Sequence, residues 1–321
     1  MKKITIIVPF LNEEEVLGQL YQRLEQLSQT CSSYQFEYLF VNDGSEDQSV
    51  SIILALQEKD SRITLLDLSR NFGKEVAMLA GFDYAKGDAA VVIDADLQQP
   101  PELIQEMILW WEQGYSDVYA VRKNRKGETF LKKLLSSSYY KILQKTTRTT
   151  IYPHAGDFRL LDRKAINALK ELREHERYTK GLYGWIGYRK KELFYDADER
   201  AGGATKWRLS SLANLAMNGI TSYTTLPLRV SAMIGAVVSV VGFIYMMIVL
   251  VQTLLLGASV SGYPSLMIGI LFLGGLQLIS LGIIGEYLGR VFNETKKRPL
   301  YFVEEYYEGQ TRDDKRSSGE S

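Results

Sequence analysis

The most informative segment of the chain reads Ala89-Ala90-Val91-Val92-Ile93-Asp94-Ala95-Asp96-Leu97-Gln98. Its apolar first half predicts a buried β-strand, and two aspartates follow that strand directly. Side chains alternate along an extended segment, so Asp94 and Asp96 should lie on the same side, with the small Ala95 between them. Two carboxylates this close repel each other unless a cation lies between them, and hard oxygen ligands suit Mg²⁺ or Mn²⁺. The segment therefore predicts a metal site at a strand end.

Strand and helix patterns alternate along the first part of the chain. Further apolar runs predict strands at Ile4–Pro9, Phe36–Val41, Ile63–Leu68 and Asp117–Val121. Helical patterns cover Glu14–Ser28, Asp47–Lys59 and Phe72–Ala85, and another helix opens at Pro100-Pro101. The alternation predicts an α/β fold with a mostly parallel sheet flanked by helices. Such sheets bind ligands beyond the carboxyl ends of their strands.

Acidic residues follow three of the predicted strands. The first strand leads into Asn12-Glu13, the second into Asn42-Asp43 and the fourth into Asp94. A single aspartate at such a position is more often a helix cap than a ligand. Three acidic strand ends at one edge of a sheet instead predict a binding site at that edge.

Two apolar runs lie near the C-terminus, at 230–256 and 264–288. Each holds about 25 residues without lysine, arginine or aspartate, and a helix needs roughly 20 apolar residues to cross a bilayer. Basic residues flank the pair, while the connection at 257–263 carries no charge, so the positive-inside rule predicts a hairpin with both ends in the cytosol. The glycines of the second run are compatible with a tight hairpin or a contact in a homo-oligomer, and equally with the general frequency of glycine in membrane helices.

These boundaries divide the chain into five parts. We expect a catalytic domain at 1–207, an amphipathic interfacial helix or linker at 208–229, membrane helices at 230–256 and 264–288, and a partly disordered cytoplasmic tail at 289–321. The 321 residues carry no net charge, which gives no indication of a nucleic-acid partner. The N-terminal apolar stretch is too short, and too soon followed by acidic residues, for a signal peptide. We therefore expect the catalytic domain on the cytoplasmic face of the inner membrane.

Three motifs of the chain resemble the signatures of inverting family 2 glycosyltransferases with the GT-A fold. They are Val8-Pro9-Phe10-Leu11-Asn12-Glu13-Glu14, Val41-Asn42-Asp43-Gly44-Ser45 and Asp94-Ala95-Asp96-Leu97-Gln98. Within that family the chain resembles the polyprenyl-phosphate glycosyltransferases, that is, the bactoprenol glucosyltransferase group and dolichol-phosphate mannose synthase. The runs 69–74, 154–163 and 203–207 and the two apolar segments extend the resemblance over almost the whole chain.

The resemblance implies an inverting, metal-dependent transfer of one sugar from a nucleotide sugar to undecaprenyl phosphate, for modification of cell-envelope glycans. UDP-glucose is the first donor it suggests, with UDP-N-acetylglucosamine, UDP-galactose and GDP-mannose as alternatives. The implied partners are the nucleotide sugar, undecaprenyl phosphate and the lipid bilayer. A flippase and a downstream glycosyltransferase would complete the set.

The resemblance also implies roles for single residues. The residues expected at the nucleotide sugar are Pro9, Asn12, Glu13, Asp43, Lys74 and Asp94. The residues expected at the Mg²⁺ or Mn²⁺ ion are Asp94, Asp96 and Gln98. Asp157 matches the position usually assigned to the catalytic base and, with Asp94 and Asp96, makes up the expected catalytic set.

The chemistry of the acceptor points to a different role for Asp157. A lipid monophosphate has a second pKa of about 6 and is largely dianionic at neutral pH, so it needs no general base. We therefore expect Asp157 to position the acceptor or to shield the positive charge that develops on the sugar. Two dianionic substrates also need cations, and the residues expected at the acceptor phosphate are Arg122, Lys132, Lys133, Ser137, Arg159, Arg200 and Lys206.

Three other functions compete with this one. A processive polysaccharide synthase needs a translocation channel, which two spans do not supply, and the chain lacks the Gln-x-x-Arg-Trp motif. A membrane-anchored scaffold that binds nucleotide without turnover predicts degenerate acidic motifs, whereas these are intact. A sugar-phosphate nucleotidyltransferase would need a basic, glycine-rich loop after the first strand, where this chain has Asn12-Glu13-Glu14-Glu15.

Overall fold

The computed structural model describes residues 1–123, 155–175, 177–196, 226–256 and 262–309. The strands are β1 (Lys3–Phe10), β2 (Gln35–Asn42), β3 (Ile63–Leu68), β4 (Ala89–Val92), β5 (Asp117–Arg122), β6 (Ala155–Asp162), β7 (Lys190–Tyr195) and β8 (Val303–Tyr307). The helices are α1 (Leu17–Thr30), α2 (Ser49–Gln57), α3 (Lys74–Tyr84), α4 (Leu103–Glu112), α5 (Arg163–Glu171), α6 (Thr179–Trp185), α7 (Leu226–Leu256) and α8 (Tyr263–Thr295).

The eight described strands form one mixed sheet in the order β7-β5-β6-β4-β1-β2-β3-β8. Strands β4, β1, β2 and β3 run parallel, and β5 pairs parallel with β7. Strand β6 lies antiparallel between β4 and β5, and β8 lies antiparallel to β3. The predicted α/β fold with flanking helices is confirmed, but the sheet has more antiparallel pairing than the apolar patterns indicated.

The parallel strands are apolar on both faces because helices cover both. Every residue of β1 from Ile4 to Phe10 is buried, and so are all four residues of β4. Helix α1 contributes Leu17, Leu20, Leu24 and Leu27 to the same core at helical spacing. Continuous burial fixes these strands in the middle of the sheet and places their carboxyl ends side by side at one edge.

Strand β8 lies in the segment that we expected to be a partly disordered tail. It pairs with β3 from Leu65↔Tyr307 to Leu68↔Val303. Just before the strand, the Tyr301 hydroxyl donates to Asp83 at 2.7 Å, and the Ser69 amide donates to the Phe302 carbonyl at 3.0 Å. The compact unit formed by the sheet therefore includes residues from both sides of the apolar helices in the sequence.

Helices α7 and α8 belong to a second compact unit. Segments Val230–Val249 and Phe272–Thr295 are long and apolar enough to cross a membrane, by length and composition. The two helices contact each other, and the hydroxyls of Ser231 and Ser280 are 2.8 Å apart. The helices overlap both predicted spans, whereas most of the predicted interfacial segment 208–229 lies outside the described residues.

Candidate active site

The carboxyl end of β4 meets the beginning of β6 at one edge of the sheet. In the antiparallel register Val92 lies opposite Arg159; Asp94 follows Val92 by two residues, and Asp157 precedes Arg159 by two. The ammonium group of Lys74, the first residue of α3, bridges the two carboxylates. Its Nζ lies 2.6 Å from Asp94 Oδ1 and 3.1 Å from Asp157 Oδ2. Strand pairing and one helix N-terminus thus build a compact cluster from three distant parts of the sequence.

The charges of this cluster stabilise one another. Burial alone would lower the pKa of Lys74, but Asp94 and Asp157 outweigh it, and the pKa is raised above its usual range. Burial alone would raise the pKa of Asp157, but nearby cations, Lys74 first, outweigh it and lower the pKa. The Asp157 carboxylate is therefore ionised at neutral pH and is a weak base. Its Oδ1 is buried and accepts no hydrogen bond from any described residue.

In the loop after β4, Asp94 and Asp96 have different hydrogen-bond partners. Gln99 clamps Asp94, because its Nε2 donates to Asp94 Oδ2 at 2.9 Å and its Oε1 accepts from the Asp94 amide at 2.9 Å. Asp96 Oδ1 accepts from the Gln98 amide at 3.1 Å. Leu97, which lies between Asp96 and Gln98 in the sequence, is buried and has a φ of +60°. This conformation costs energy for a bulky residue and is typical of functional loops.

These contacts bear on the predicted divalent cation. Among the described residues no three His, Cys, Asp or Glu side chains are grouped so that they could hold a metal ion. Both oxygens of Asp94 are engaged, one by Lys74 and the other by Gln99. Mg²⁺ is commonly held by one or two carboxylates together with substrate phosphates. The carboxylates and Gln98 at this strand end fit such a shared site in the kind of atoms they offer.

A second cluster lies where β1 and β2 end. The Asn12 amide donates to the Ser45 hydroxyl at 2.9 Å, and Asn12 Oδ1 accepts from the Glu46 amide at 2.9 Å. Asn12 takes a φ of +56°, which asparagine tolerates better than most residues. Pro9 is buried within β1 opposite Val41. The two loops expected at the nucleotide are thus joined to each other.

Asp43 binds the backbone of a third loop. Its carboxylate accepts from the amides of Phe72 at 2.7 Å and of Gly73 at 3.0 and 3.2 Å. Burial raises the pKa of Asp43 despite these hydrogen bonds. Gly44, at a φ of +75°, lies so close to Arg70 and Asn71 that an added Cβ would be 2.6 Å from their backbone atoms. The family-like run 69–74 therefore connects the predicted nucleotide site to Lys74.

Arg159 differs from its expected environment at the acceptor phosphate. It is 2% exposed, and its guanidinium donates to Asp117 at 3.0 and 3.2 Å and to the Gly156 carbonyl at 2.7 Å. It also stacks 3.3 Å from the Tyr183 ring centroid. Lys190 reaches the same Asp117 at 2.8 Å. Arg159 is therefore engaged inside the fold, where it joins β6 to β5.

The other predicted acceptor residues divide into two groups. Arg122 is exposed at the carboxyl end of β5, on the same edge of the sheet as Asp94, and its role at the acceptor phosphate stays a prediction. The remaining five lie outside the described residues: Lys132, Lys133, Ser137, Arg200 and Lys206. Glu13 is partly buried, its amide donating to Ser49 Oγ at 2.9 Å, and its role at the nucleotide stays a prediction.

The sequence patterns missed a buried polar layer behind Asp157. Glu75 accepts from the Thr179 amide at 3.1 Å and so joins the first turn of α3 to α6. Burial, and then the charge of Asp157, raise the pKa of Glu75. The hydroxyls of Thr179 and Tyr183 are buried without a hydrogen-bond partner among the described residues. Only the position of Glu75 next to Lys74 could have drawn attention to this layer.

Comparison with known proteins identifies the family of the chain. The model of "Glycosyl transferase family 2" matches residues 5–170, which include all the acidic residues described above. A glycosyltransferase of Synechocystis sp., named sll0501 and described as uncharacterized, is 46% identical over 95% of this chain and 96% of its own. The chain belongs to glycosyltransferase family 2.

The C-terminal helices match a more particular description. The model "GtrB C-terminal hairpin" covers residues 226–291. The prophage bactoprenol glucosyl transferase homolog of Escherichia coli K12 is 42% identical over 94% of this chain and 98% of its own. The SfII prophage-derived bactoprenol glucosyl transferase of Shigella flexneri is 41% identical over 96% and 99%. The resemblance drawn from the motifs is confirmed.

Proposed function

We propose that the chain transfers a single sugar from a nucleotide sugar to a polyprenyl phosphate, with undecaprenyl phosphate as the acceptor. The observation that carries the proposal is the meeting of Asp94, Asp157 and Lys74 at the carboxyl edge of the sheet. The relatives whose printed names describe bactoprenol glucosyl transferases support the lipid acceptor, because they align over nearly their full length. Two helices able to cross a membrane suit an acceptor held in a bilayer.

The reaction that these residues favour is a single displacement. A phosphate oxygen of the acceptor forms a bond to the anomeric carbon while the bond from that carbon to the donor phosphate breaks. The nucleoside diphosphate leaves with its charge, and the configuration of the sugar inverts. No proton has to move, because the dianionic acceptor is already a nucleophile.

Asp157 then acts as a fixed negative charge. Its lowered pKa makes it a poor proton acceptor, whereas an ionised carboxylate next to the anomeric carbon stabilises the positive charge that develops there. Asp94, held by Gln99 and Lys74, would fix the sugar of the donor. This division of roles requires Asp157 for charge and position, and not for proton transfer.

Asp96 would hold Mg²⁺ or Mn²⁺ together with the donor diphosphate, and Gln98 would support it. When bound, the ion supplies positive charge to the leaving diphosphate. We propose UDP-glucose as the donor, with UDP-N-acetylglucosamine, UDP-galactose or GDP-mannose as the alternatives. The proposed setting is the cytoplasmic face of the membrane, because basic residues flank the two apolar helices.

The test is a product assay with the purified full chain. The protein is incubated with undecaprenyl phosphate, Mn²⁺ or Mg²⁺ and each nucleotide sugar in turn, and the lipid is examined by mass spectrometry. One donor should add the mass of one sugar residue to the lipid phosphate, a hexose or, from UDP-N-acetylglucosamine, an N-acetylhexosamine, and Asp96→Ala should abolish this product. Glu58→Ala is the matched control, since Glu58 is an exposed acid at the end of α2. No glycosylated lipid with any donor would refute the proposed function.

A further inference from the structure

Lys74 occupies the space between the two carboxylates of the proposed reaction. Its Nζ contacts one oxygen of Asp94 and one of Asp157, and its side chain is 45% exposed. A sugar that is bound by Asp94 and shielded by Asp157 would have to enter this same space. The ammonium must therefore move when the donor binds.

The segment that carries Lys74 is suited to such a movement. Gly73, directly before it, has a φ of +97°, and a Cβ there would meet no atom within 4 Å. The amides of Phe72 and Gly73 donate to Asp43, which belongs to the predicted nucleotide site. A contact of the nucleotide with Asp43 would therefore act on the backbone immediately before Lys74.

We propose that Lys74 is the internal counter-ion of the donor-free site: it neutralises Asp94 and Asp157 until the divalent cation and the donor enter, and then moves onto the donor diphosphate. The movement of Lys74 onto the donor diphosphate rests on the proposed function. The counter-ion role in the donor-free site concerns only the protein and the ion. The counter-ion role also explains the run 69–74, because this run places the Lys74 ammonium beside the predicted nucleotide site.

The reason is charge competition at short range. A cation next to Asp94 at 2.6 Å repels a second cation at the neighbouring Asp96, and Coulomb repulsion over a few ångströms is large even in a polar environment. Removing the ammonium leaves two carboxylates without their counter-ion and creates an additional hard-oxygen site. Without Lys74 the donor-free protein should thus bind a divalent cation more tightly, while the donor should bind less tightly.

The experiment measures Mn²⁺ binding to the donor-free full chain by electron paramagnetic resonance. Lys74→Met removes the charge and keeps the length, and we expect its Mn²⁺ affinity to rise roughly tenfold or more. Lys74→Arg keeps the charge and should bind Mn²⁺ as the unmodified chain does. Lys180→Met is the matched control. Lys180 acts electrostatically on Asp157 but makes no ion pair with Asp94 among the described residues. The Mn²⁺ affinity of Lys180→Met should therefore differ less than about threefold from that of the unmodified chain.

A second measurement follows the donor side. In saturating Mn²⁺, UDP should bind roughly tenfold more weakly to Lys74→Met than to the unmodified chain, because the diphosphate loses one cation. Unchanged or weaker Mn²⁺ binding by Lys74→Met would overturn the counter-ion role, and so would an equal rise in Lys180→Met. Failure of Mn²⁺ to bind any of the variants would overturn it as well. None of these outcomes depends on whether the lipid product forms, so this inference and the proposed function fail separately.

Discussion

Replacing Arg159 separates a structural role from a role at the acceptor. Arg159→Met removes two hydrogen bonds to Asp117, one to the Gly156 carbonyl and the stacking on Tyr183. Removing one member of a buried ion pair costs about 3–5 kcal/mol. Lys190 still contacts the same carboxylate, so the lower end, about 3 kcal/mol, is the expected loss. For a domain of this size that corresponds to a drop in Tm of roughly 6–12 °C.

The assay is thermal unfolding of the purified chain, followed alongside the KM for undecaprenyl phosphate. Arg173→Met is the control, since the Arg173 side chain is 47% exposed in its ion pair with Asp83, and ion pairs at the surface contribute about 0–1 kcal/mol. At temperatures where Arg159→Met is folded, its acceptor KM should change little. An unchanged Tm together with a large rise in acceptor KM would refute the structural role and return Arg159 to the acceptor site.

Two further predictions concern the nucleotide loops and the pH profile. Gly44→Ala should weaken UDP binding roughly tenfold or more, as measured by titration calorimetry, because a Cβ there meets the backbone of Arg70 and Asn71. The control is Gly114→Ala, where φ is +86° but the space is open; it should cost only about 1–2 kcal/mol of stability, as measured by scanning calorimetry. Asp157→Asn removes the fixed negative charge and should lose roughly 10²-fold in turnover, whereas a loss below about tenfold would leave Asp157 a positioning role alone. In both proteins kcat/KM should fall as pH drops through about 6, because the acceptor phosphate becomes protonated there. The lowered pKa of Asp157 keeps its carboxylate charged throughout that range, so any stability it contributes is lost only at lower pH. A loss above roughly 10³-fold with a shifted pH profile would restore the general base.

Local patterns predicted the elements whose burial is continuous. Strand β3 begins and ends as expected, and β1, β2, β4 and β5 differ from the prediction by one residue at one or both ends. These strands lie in the apolar middle of the sheet or beside it, where hydrophobicity alone specifies the structure. The acidic strand ends followed from the same reasoning, because parallel neighbours share one edge.

Long-range pairing explains what the patterns missed. Strand β6 carries Asp157 and Arg159, and charged residues inside a segment do not predict a buried strand. In the fold Lys74 pairs with Asp157, and Asp117 on β5 pairs with Arg159. The bridging position of Lys74 depends on the register of β4 against β6, which no short segment contains. Glu75 is in the same situation, since its partner Thr179 is 104 residues away.

The return of the chain to β3 has a consequence for biosynthesis. Strand β8 is made after both apolar helices, so the ribosome must translate the whole hairpin before the partner of β3 exists. Until then β3 presents an open row of amide and carbonyl groups, which is the kind of edge that recruits other chains. The edge of the nascent sheet therefore stays open until both apolar helices have been translated, and a pause in translation at that stage should leave the chain prone to aggregation.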